Sequence, residues 1–345
     1  MDVPSPDTRA EWAARVGDEN LHRRLLDELP CLHRVAQCRA GPPSELTGWL
    51  RVLAWNVQRG RRPAELADLL HASGAGVCLL SELDDGMART QNENIADSIA
   101  DSIATHTAAD TGTGYAFGVE FIELGLGDEA EQRAAAGQRN DRGLHGNAIV
   151  SSAHLGDPVV VRLPQSGPGW FAVDSPQPRV GGRVAVLATV VLEGVPVEVA
   201  SIHLENRTDA GHRAEQMELL LQGLDERSGG GPAIVGGDFN TLGVSYADLL
   251  DRPLIRSLRR DNPTRFTWPV THEPLFEVAR DHGFEWTDAN VAAPTTEHDA
   301  GGLPDHVPLK LDWILVRGLV ARRPAVTPAG GLSDHHAVSV GVRLP

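Results

Sequence analysis

Several polar residues stand where short apolar runs stop. Asn56 closes "RVLAWN", Glu82 closes "GVCLLSE", His203 closes "VEVASIH", and Asp238 and Asn240 end "AIVGGDFN". Asn147 opens "GNAIVSS", Asp312 opens "LDWILV", and Asp334 and His335 precede the last apolar run in "SDHHAVSVGV". Each has an ordinary explanation when taken singly, because Asp, Asn and Gly suit turns and a histidine at a strand end is often just hydrogen-bonded. Together they make a set of carboxylates, amides and imidazoles without a thiolate. Hard oxygen donors suit Mg²⁺ or Mn²⁺, which keep several waters and take one or two carboxylates from the protein. Neutral Asn and protonatable His beside them suit a phosphate. Several like charges in one place are costly to assemble, which favours a use for them.

Such residues meet only if the runs before them are strands ending on one side. From Arg51 onward the chain reads as short apolar runs closed by turn residues, as strands do. "VEVASIH" follows "RVAVLATVVL" through Glu193-Gly194, a hairpin signature. Helices intervene: "PAELADLLHAS" starts with Pro in its first turn, and "GHRAEQMELLLQGLDER" spaces Met217, Leu220, Leu221 and Leu224 for one helical face. Hairpins with interposed helices predict two mainly antiparallel sheets packed together with helices outside. Ahead of this, residues 8–29 read as one helix with an apolar stripe of Trp12, Val16, Leu25, Leu26 and Leu29, followed by a Pro-rich linker, so that 1–50 is an N-terminal extension to a 51–345 domain. Residues 84–142 break the rhythm, and their polar, Ala/Gly-rich part from Gly125 to Arg142 reads as a flexible flap near a site.

The 345 residues are 41% hydrophobic and 23% charged, which is ordinary for a globular chain with a large core. A net charge of −16 argues against non-specific binding of long nucleic acid, which relies on clustered cations. Nearly all the cations are arginines, Lys310 being the one lysine. The N-terminus lacks an apolar signal core, and no run is long enough to cross a membrane. Cys31, Cys38 and Cys78 cannot all pair and show no zinc spacing, so the cytoplasm is expected. Nothing in the sequence calls for an obligate protein partner.

The motifs "WN", "SE", "GNAI", "IHL", "GDFN", "LDWI" and "SDHH", in that order from about Arg51 to Leu344, resemble the endonuclease/exonuclease/phosphatase superfamily, the metal-dependent phosphoesterases related to DNase I. The resemblance implies an α/β (α+β) four-layer sandwich, two sheets flanked by helices. It makes Glu82 the principal carboxylate for Mg²⁺ (or Mn²⁺), Asn56 a further metal or phosphate contact, and Asp334 a residue on the metal side. Asp238, supported by Asn240, would orient or deprotonate the attacking water. His335, paired with Asp312, would touch the scissile phosphate, while His203 and Asn147 would bind phosphoryl oxygens.

No Ser or Cys nucleophile motif accompanies these residues, so direct attack by water is the simpler expectation. The resulting reading is a metal-dependent phosphodiesterase or phosphatase acting on a small or medium phosphate ester. A DNA or RNA nuclease of the same superfamily is the alternative, and a non-catalytic binding module is disfavoured because the acids and the histidine are present. Arg139, Arg142, Arg179 and Arg183 form either a site for an additional phosphate, with Arg183 foremost, or a solvated surface. His145 either faces the site or caps a strand. Trp170 and Phe171 are either an aromatic wall or core.

Overall fold

The computed structural model describes residues 2–38, 45–106, 113–165, 169–296 and 307–345. Part of the linker read between residues 41 and 48 therefore lies outside the described residues. In chain order the strands are β1 (Val35–Cys38), β2 (Leu50–Arg59), β3 (Val77–Asp85), β4 (Gly114–Glu123), β5 (Leu144–Ser151), β6 (Gly156–Arg162) and β7 (Arg179–Gly181). They continue with β8 (Val184–Leu192), β9 (Val195–His203), β10 (Ala233–Asp238), β11 (Asp312–Arg317), β12 (Val320–Thr327) and β13 (Ala337–Arg343). One sheet runs β1-β4-β5-β3-β2-β13-β12 with β7 added to β4, and the other runs β11-β10-β9-β8-β6. Pairing is antiparallel except for β2 with β3 and β9 with β10.

The α-helices are α1 (Pro6–Ala13), α2 (Glu19–Glu28), α3 (Pro63–Ser73), α4 (Ile95–His106), α5 (Glu129–Ala134), α6 (Ala210–Ser228), α7 (Tyr246–Leu249), α8 (Arg252–Asp261) and α9 (Leu275–Asp281). Residues of α2, α3 and α4 pack on the outer face of the first sheet, where Leu53, Trp55 and Val57 point. Residues of α6 and α9 cover the outer face of the second, against Ala200, Ile202 and Val235. Between the sheets lie the alternate residues of the same strands: Val52 and Ala54, Val197 and Val199, Ile234, Ile314 and Val316. The four-layer α/β sandwich is therefore built by period-two alternation, the central strands burying both their faces and the edge strands β1, β6 and β12 remaining partly exposed.

The N-terminal segment is two helices rather than one. Gly17 takes a φ of 94° and the Asp18 side chain accepts from Leu21 N–H, so a new cap starts α2 where a continuous helix was expected. Residues 35–38 also add strand β1 to the edge of the first sheet beside β4. The stretch from Gly125 to Arg142 is tied down rather than free. It carries α5 with an Asp128–Glu131 capping box, and the buried Glu131 pairs with Arg61 and Arg89 at 2.7 and 2.8 Å. Arg9 of α1 donates to the carbonyls of Asn140 and Arg142, closing the segment from outside.

Candidate active site

The inter-sheet parity of each strand continues past the apolar layer into a polar residue. Ala54 leads to Asn56, Val199 to Ser201 and His203, Ile234 to Gly236 and Asp238, Ile314 back to Asp312, Ile149 back to Asn147, and Ala116 to Gly118 and Glu120. The side chains that fill the sandwich thus become, at one end of it, the walls of a polar cleft. Two devices aim the rest. A register shift in β3 between Leu80 and Leu83 turns Glu82 out of the ladder, with φ at 60°, and Asn240 beyond β10 takes a φ of 49°. Left-handed backbone at non-glycine residues is stored strain of the kind found at functional sites. The second glycine of "GGDFN" is required by space as well as by its φ of 144°, because a β-carbon at Gly237 would run into the Ile202 carbonyl of β9.

At the centre, His335 Nδ1 lies 2.8 Å from Asp312 Oδ2, and His335 Nε2 is 3.8 Å from Asp238 Oδ2. His203 Nε2 approaches the same Asp238 oxygen at 3.4 Å. The amide of Asn56 donates to both Glu82 and Asp238 at 3.1 Å, and the backbone N–H of Asn240 fixes the other Asp238 oxygen at 3.0 Å. The Asn240 side chain is itself held by the Leu204 carbonyl. Ser333 Oγ donates to the Asn56 carbonyl and accepts from His335 N–H, which anchors "SDHH" to β2.

Electrostatics separate the carboxylates. Burial pushes Glu82 up, yet Arg59, His203, His145 and the Asn56 amide together hold it well below the usual carboxylate range. Burial raises Asp238, only partly offset by His335 and His203, and Asp312 adds to the rise. Burial likewise raises Asp334, with Glu82 and Asp238 opposing its charge. Burial alone would discharge His335, but Asp312 and Asp238 carry it well above the ordinary imidazole value, so it stands as a cation.

Two adjoining cavities open on this cluster. A smaller one of about 160 Å³ is lined by Asp238, Asn240, Asp334, His335 and Tyr246, and a larger one of about 320 Å³ by Arg59, His145, Trp170, Arg179 and Arg183. Glu82, His203, Asn206 and Arg207 line both. Asn56 and Asp312 stand behind the lining and hold its members. Asn147 lines neither cavity; its amide donates to the Val184 carbonyl at 2.9 Å and bridges the sheets, leaving its buried Oδ1 without a partner. His145 borders the larger cavity, with Nδ1 on Asp84 Oδ1 at 2.8 Å and its ring stacked on Phe121. Arg183 also borders it, but its Nη1 is already engaged by Glu120 at 2.6 Å and His203 Nδ1 at 2.8 Å. Phe171 is core, stacked on His22, whereas Trp170 faces the cavity.

Sequence reading passed over Glu120 and Arg59. Glu120, held down to about 2 against burial chiefly by Arg183, orients both Arg183 and His203. Its signal was the period-two continuation of Ala116 and Gly118 inside an otherwise apolar run. Arg59 pairs with Glu82 and lies 3.4 Å from Glu131. It follows a bulge in β2, which no periodicity announces.

The donor set fits a hard divalent cation. Glu82, Asp238 and Asp334 converge with the Asn56 amide, Asp312 Oδ1 is buried without a partner, and no cysteine lines either cavity. Asp238, Asp312 and His335 also offer one ligand atom each, all within 4.8 Å of one another.

Comparison with known proteins identifies the family and the fold. The sequence profile of the Endonuclease/Exonuclease/phosphatase family matches residues 53–335. An endonuclease/exonuclease/phosphatase from Beutenbergia cavernae DSM 12333 superposes with a TM-score of 0.59 at 18% identity, covering 86% of this chain and 72% of that one. A family protein from Leptotrichia buccalis C-1013-b gives 0.54 at 16% identity, over 86% of this chain and 100% of that one. At these identities the likeness shows the fold. No curated protein matches the chain. By the profile match, over most of its length, the chain belongs to the endonuclease/exonuclease/phosphatase family of phosphoesterases.

Proposed function

We propose that the protein is a metal-dependent hydrolase that cleaves a small or medium phosphate ester by direct attack of water. The observation that carries this reading is the Asp312–His335–Asp238 line, hydrogen-bonded at 2.8 Å on the Asp312 side and ion-paired at 3.8 Å on the Asp238 side, with Glu82 lining both cavities. Glu82, with Asn56 and Asp334, would hold Mg²⁺ or Mn²⁺, which supplies Lewis acidity toward a phosphoryl oxygen. Asp238 is buried with a raised proton affinity, so it suits a base that orients a water and receives its proton as the oxygen adds to phosphorus. Asn240 keeps Asp238 in place through its backbone N–H. His335, cationic and steadied by Asp312, donates to a non-bridging oxygen as negative charge develops there, while the phosphorus–oxygen bond to the ester breaks and the departing oxygen takes a proton from solvent to leave as the alcohol. His203 lies against Asp238 and lines both cavities, where it meets a second phosphoryl oxygen. Asn147 acts by holding the β5 end against β8.

A small substrate is favoured by cavities of about 320 and 160 Å³ and by a net charge of −16, which repels a long polyanion. The three cysteines are free, in keeping with a cytoplasmic enzyme, and no helix among the described residues is long and apolar enough to cross a membrane. Residues 51–345 would carry the chemistry, with 1–50 as a buttress. The test is a screen with Mg²⁺ or Mn²⁺ against sugar phosphates, inositol phosphates, nucleotides, small phosphodiesters, RNA and plasmid DNA. Turnover is expected on a small ester and little on plasmid at physiological salt. Efficient plasmid or RNA cleavage with no small-ester turnover would overturn the choice of substrate.

A further inference from the structure

Four arginines line the larger cavity, and they are not equivalent. Arg59 is held by Glu82 and Arg183 by Glu120. Arg207, on the rim shared with the smaller cavity, sits over the Tyr246 ring at 5.9 Å. Arg179 differs from all of them. Its guanidinium carbon lies 4.5 Å from the Phe121 centroid and 4.1 Å from that of Trp170, in the corner of two rings that meet edge to face. Its Nε is buried without a hydrogen-bond partner, and among the described residues no carboxylate lies within ion-pair distance.

Glu123 is the residue across from Arg179 in the β4–β7 register, yet one of its oxygens is taken by the Gln177 amide and its nearest arginine is Arg89, at 3.7 Å. Burial lowers Arg179 to about 10, with Glu123 and Glu120 opposing in part, so it remains a cation at neutral pH, partly shielded from water and without a paired carboxylate. A guanidinium offers five donors in a flat fork that matches phosphate oxygens. An arginine set in an aromatic corner at a cavity wall, with no carboxylate paired to it, is arranged for an anionic ligand.

The cavity is continuous with the reacting cluster through direct contacts. Asp238 meets His203, His203 meets Arg183, and Arg183 lies 5.3 Å from the centroid of the Trp170 ring on which Arg179 rests. About 320 Å³ lies at the lower end of small-molecule sites. That is room for a compact polyol or sugar with one phosphate, and too little for a duplex.

We propose that this cavity binds a second phosphoryl group of the substrate through Arg179, making the preferred substrate a compact molecule with two phosphate groups. One would lie at the Asp238–His335 cluster for hydrolysis and the other at Arg179 for recognition. This rests on the phosphoesterase reading for the first group, but the anion site itself does not.

The experiment uses the full-length protein with Mg²⁺ and two uncleavable phosphonate analogues, of a hexose monophosphate and of the matching bisphosphate, titrated calorimetrically. The wild type should bind the bis-analogue about tenfold or more tightly, the order expected of a charge-assisted fork. Arg179→Met, which keeps the stacked stem, should erase that preference with little change on the mono-analogue. Arg179→Lys keeps charge without the fork and should lose most of the preference, and it decides the matter if the methionine variant does not fold. Equal affinity of the wild type for both analogues, or a preference that survives in the variants, overturns the proposal. Tighter binding of an analogue with a carboxylate in place of the second phosphate overturns the phosphoryl assignment. Turnover of the corresponding esters separates the two readings. An Arg179-dependent preference without any hydrolysis would leave the site standing and sink the hydrolase, whereas hydrolysis without the preference would do the reverse.

Discussion

Lys310, the one lysine of the chain, is fully buried in the segment leading into β11. Its Nζ donates to the Asp312 carbonyl at 3.2 Å and lies 4.3 Å from the Trp313 centroid, with no carboxylate oxygen within ion-pair distance among the described residues. Burial lowers its proton affinity to about 7, with Asp312 opposing in part. An unfolded lysine titrates near 10.4, so between those values the unfolded chain binds the extra proton and stability must rise with pH. The full cost is felt below pH 7 and vanishes above the unfolded value. At about 1.36 kcal/mol per pH unit the gap amounts to at most about 4–5 kcal/mol. Losing the hydrogen bond and the cation–π contact in Lys310→Met takes back about a third of it, so the variant should be about 3 kcal/mol more stable than wild type at pH 6. The difference should shrink steadily toward pH 10. Urea unfolding of both proteins at several pH values measures it. A variant less stable at every pH, or a gap independent of pH, would refute the reasoning.

Further outcomes follow from the cleft. Asp238→Asn and His335→Ala should each lower kcat on the preferred ester by about a hundredfold or more while KM moves only a few-fold, since in the proposed reaction both groups act mainly in the transition state. Steady-state kinetics at saturating metal checks this, and near wild-type kcat in either variant removes that residue from its role. Gly237→Ala should cost about 3 kcal/mol or more, because a side chain there meets both a positive φ of 144° and the Ile202 carbonyl. An unfolding midpoint within error of wild type would contradict the steric account.

Much of the site was legible because strand ends announce themselves. A run such as "VEVASIH" can bury only alternate residues between two sheets, so a polar residue in phase with the buried ones, like His203, must lie where the sandwich opens. The same phase picks out Asn56, Asp238 and Asp312. Glu120 obeys it too, in phase with Ala116, but a glutamate inside "YAFGVEFIEL" is easily taken for the outer face. Arg59 and Glu131 were not legible in this way, since a bulge and a long-range ion pair place them, and neither leaves a periodic mark. Arg183, expected as a phosphate contact, borders the larger cavity, yet only the neighbouring strand reveals that Glu120 already occupies it and that Arg179 has no paired carboxylate. The helix at 8–29 divided because Asp18 caps locally, a choice that an apolar stripe does not encode. The supposed flap around α5 is fastened by Glu131, whose partners Arg61 and Arg89 are remote in sequence.

In the proposed reaction, hydrolysis runs on a cation held at Glu82. The most direct test follows initial rates on the best small phosphate ester with metal-stripped protein, as Mg²⁺ or Mn²⁺ is added to the wild type and to Glu82→Gln. Turnover should vanish in chelator and return on addition of either ion, and the variant should need about ten times more metal or beyond for half its maximal rate. Undiminished turnover after thorough chelation, or an unchanged metal requirement in Glu82→Gln, would contradict the account.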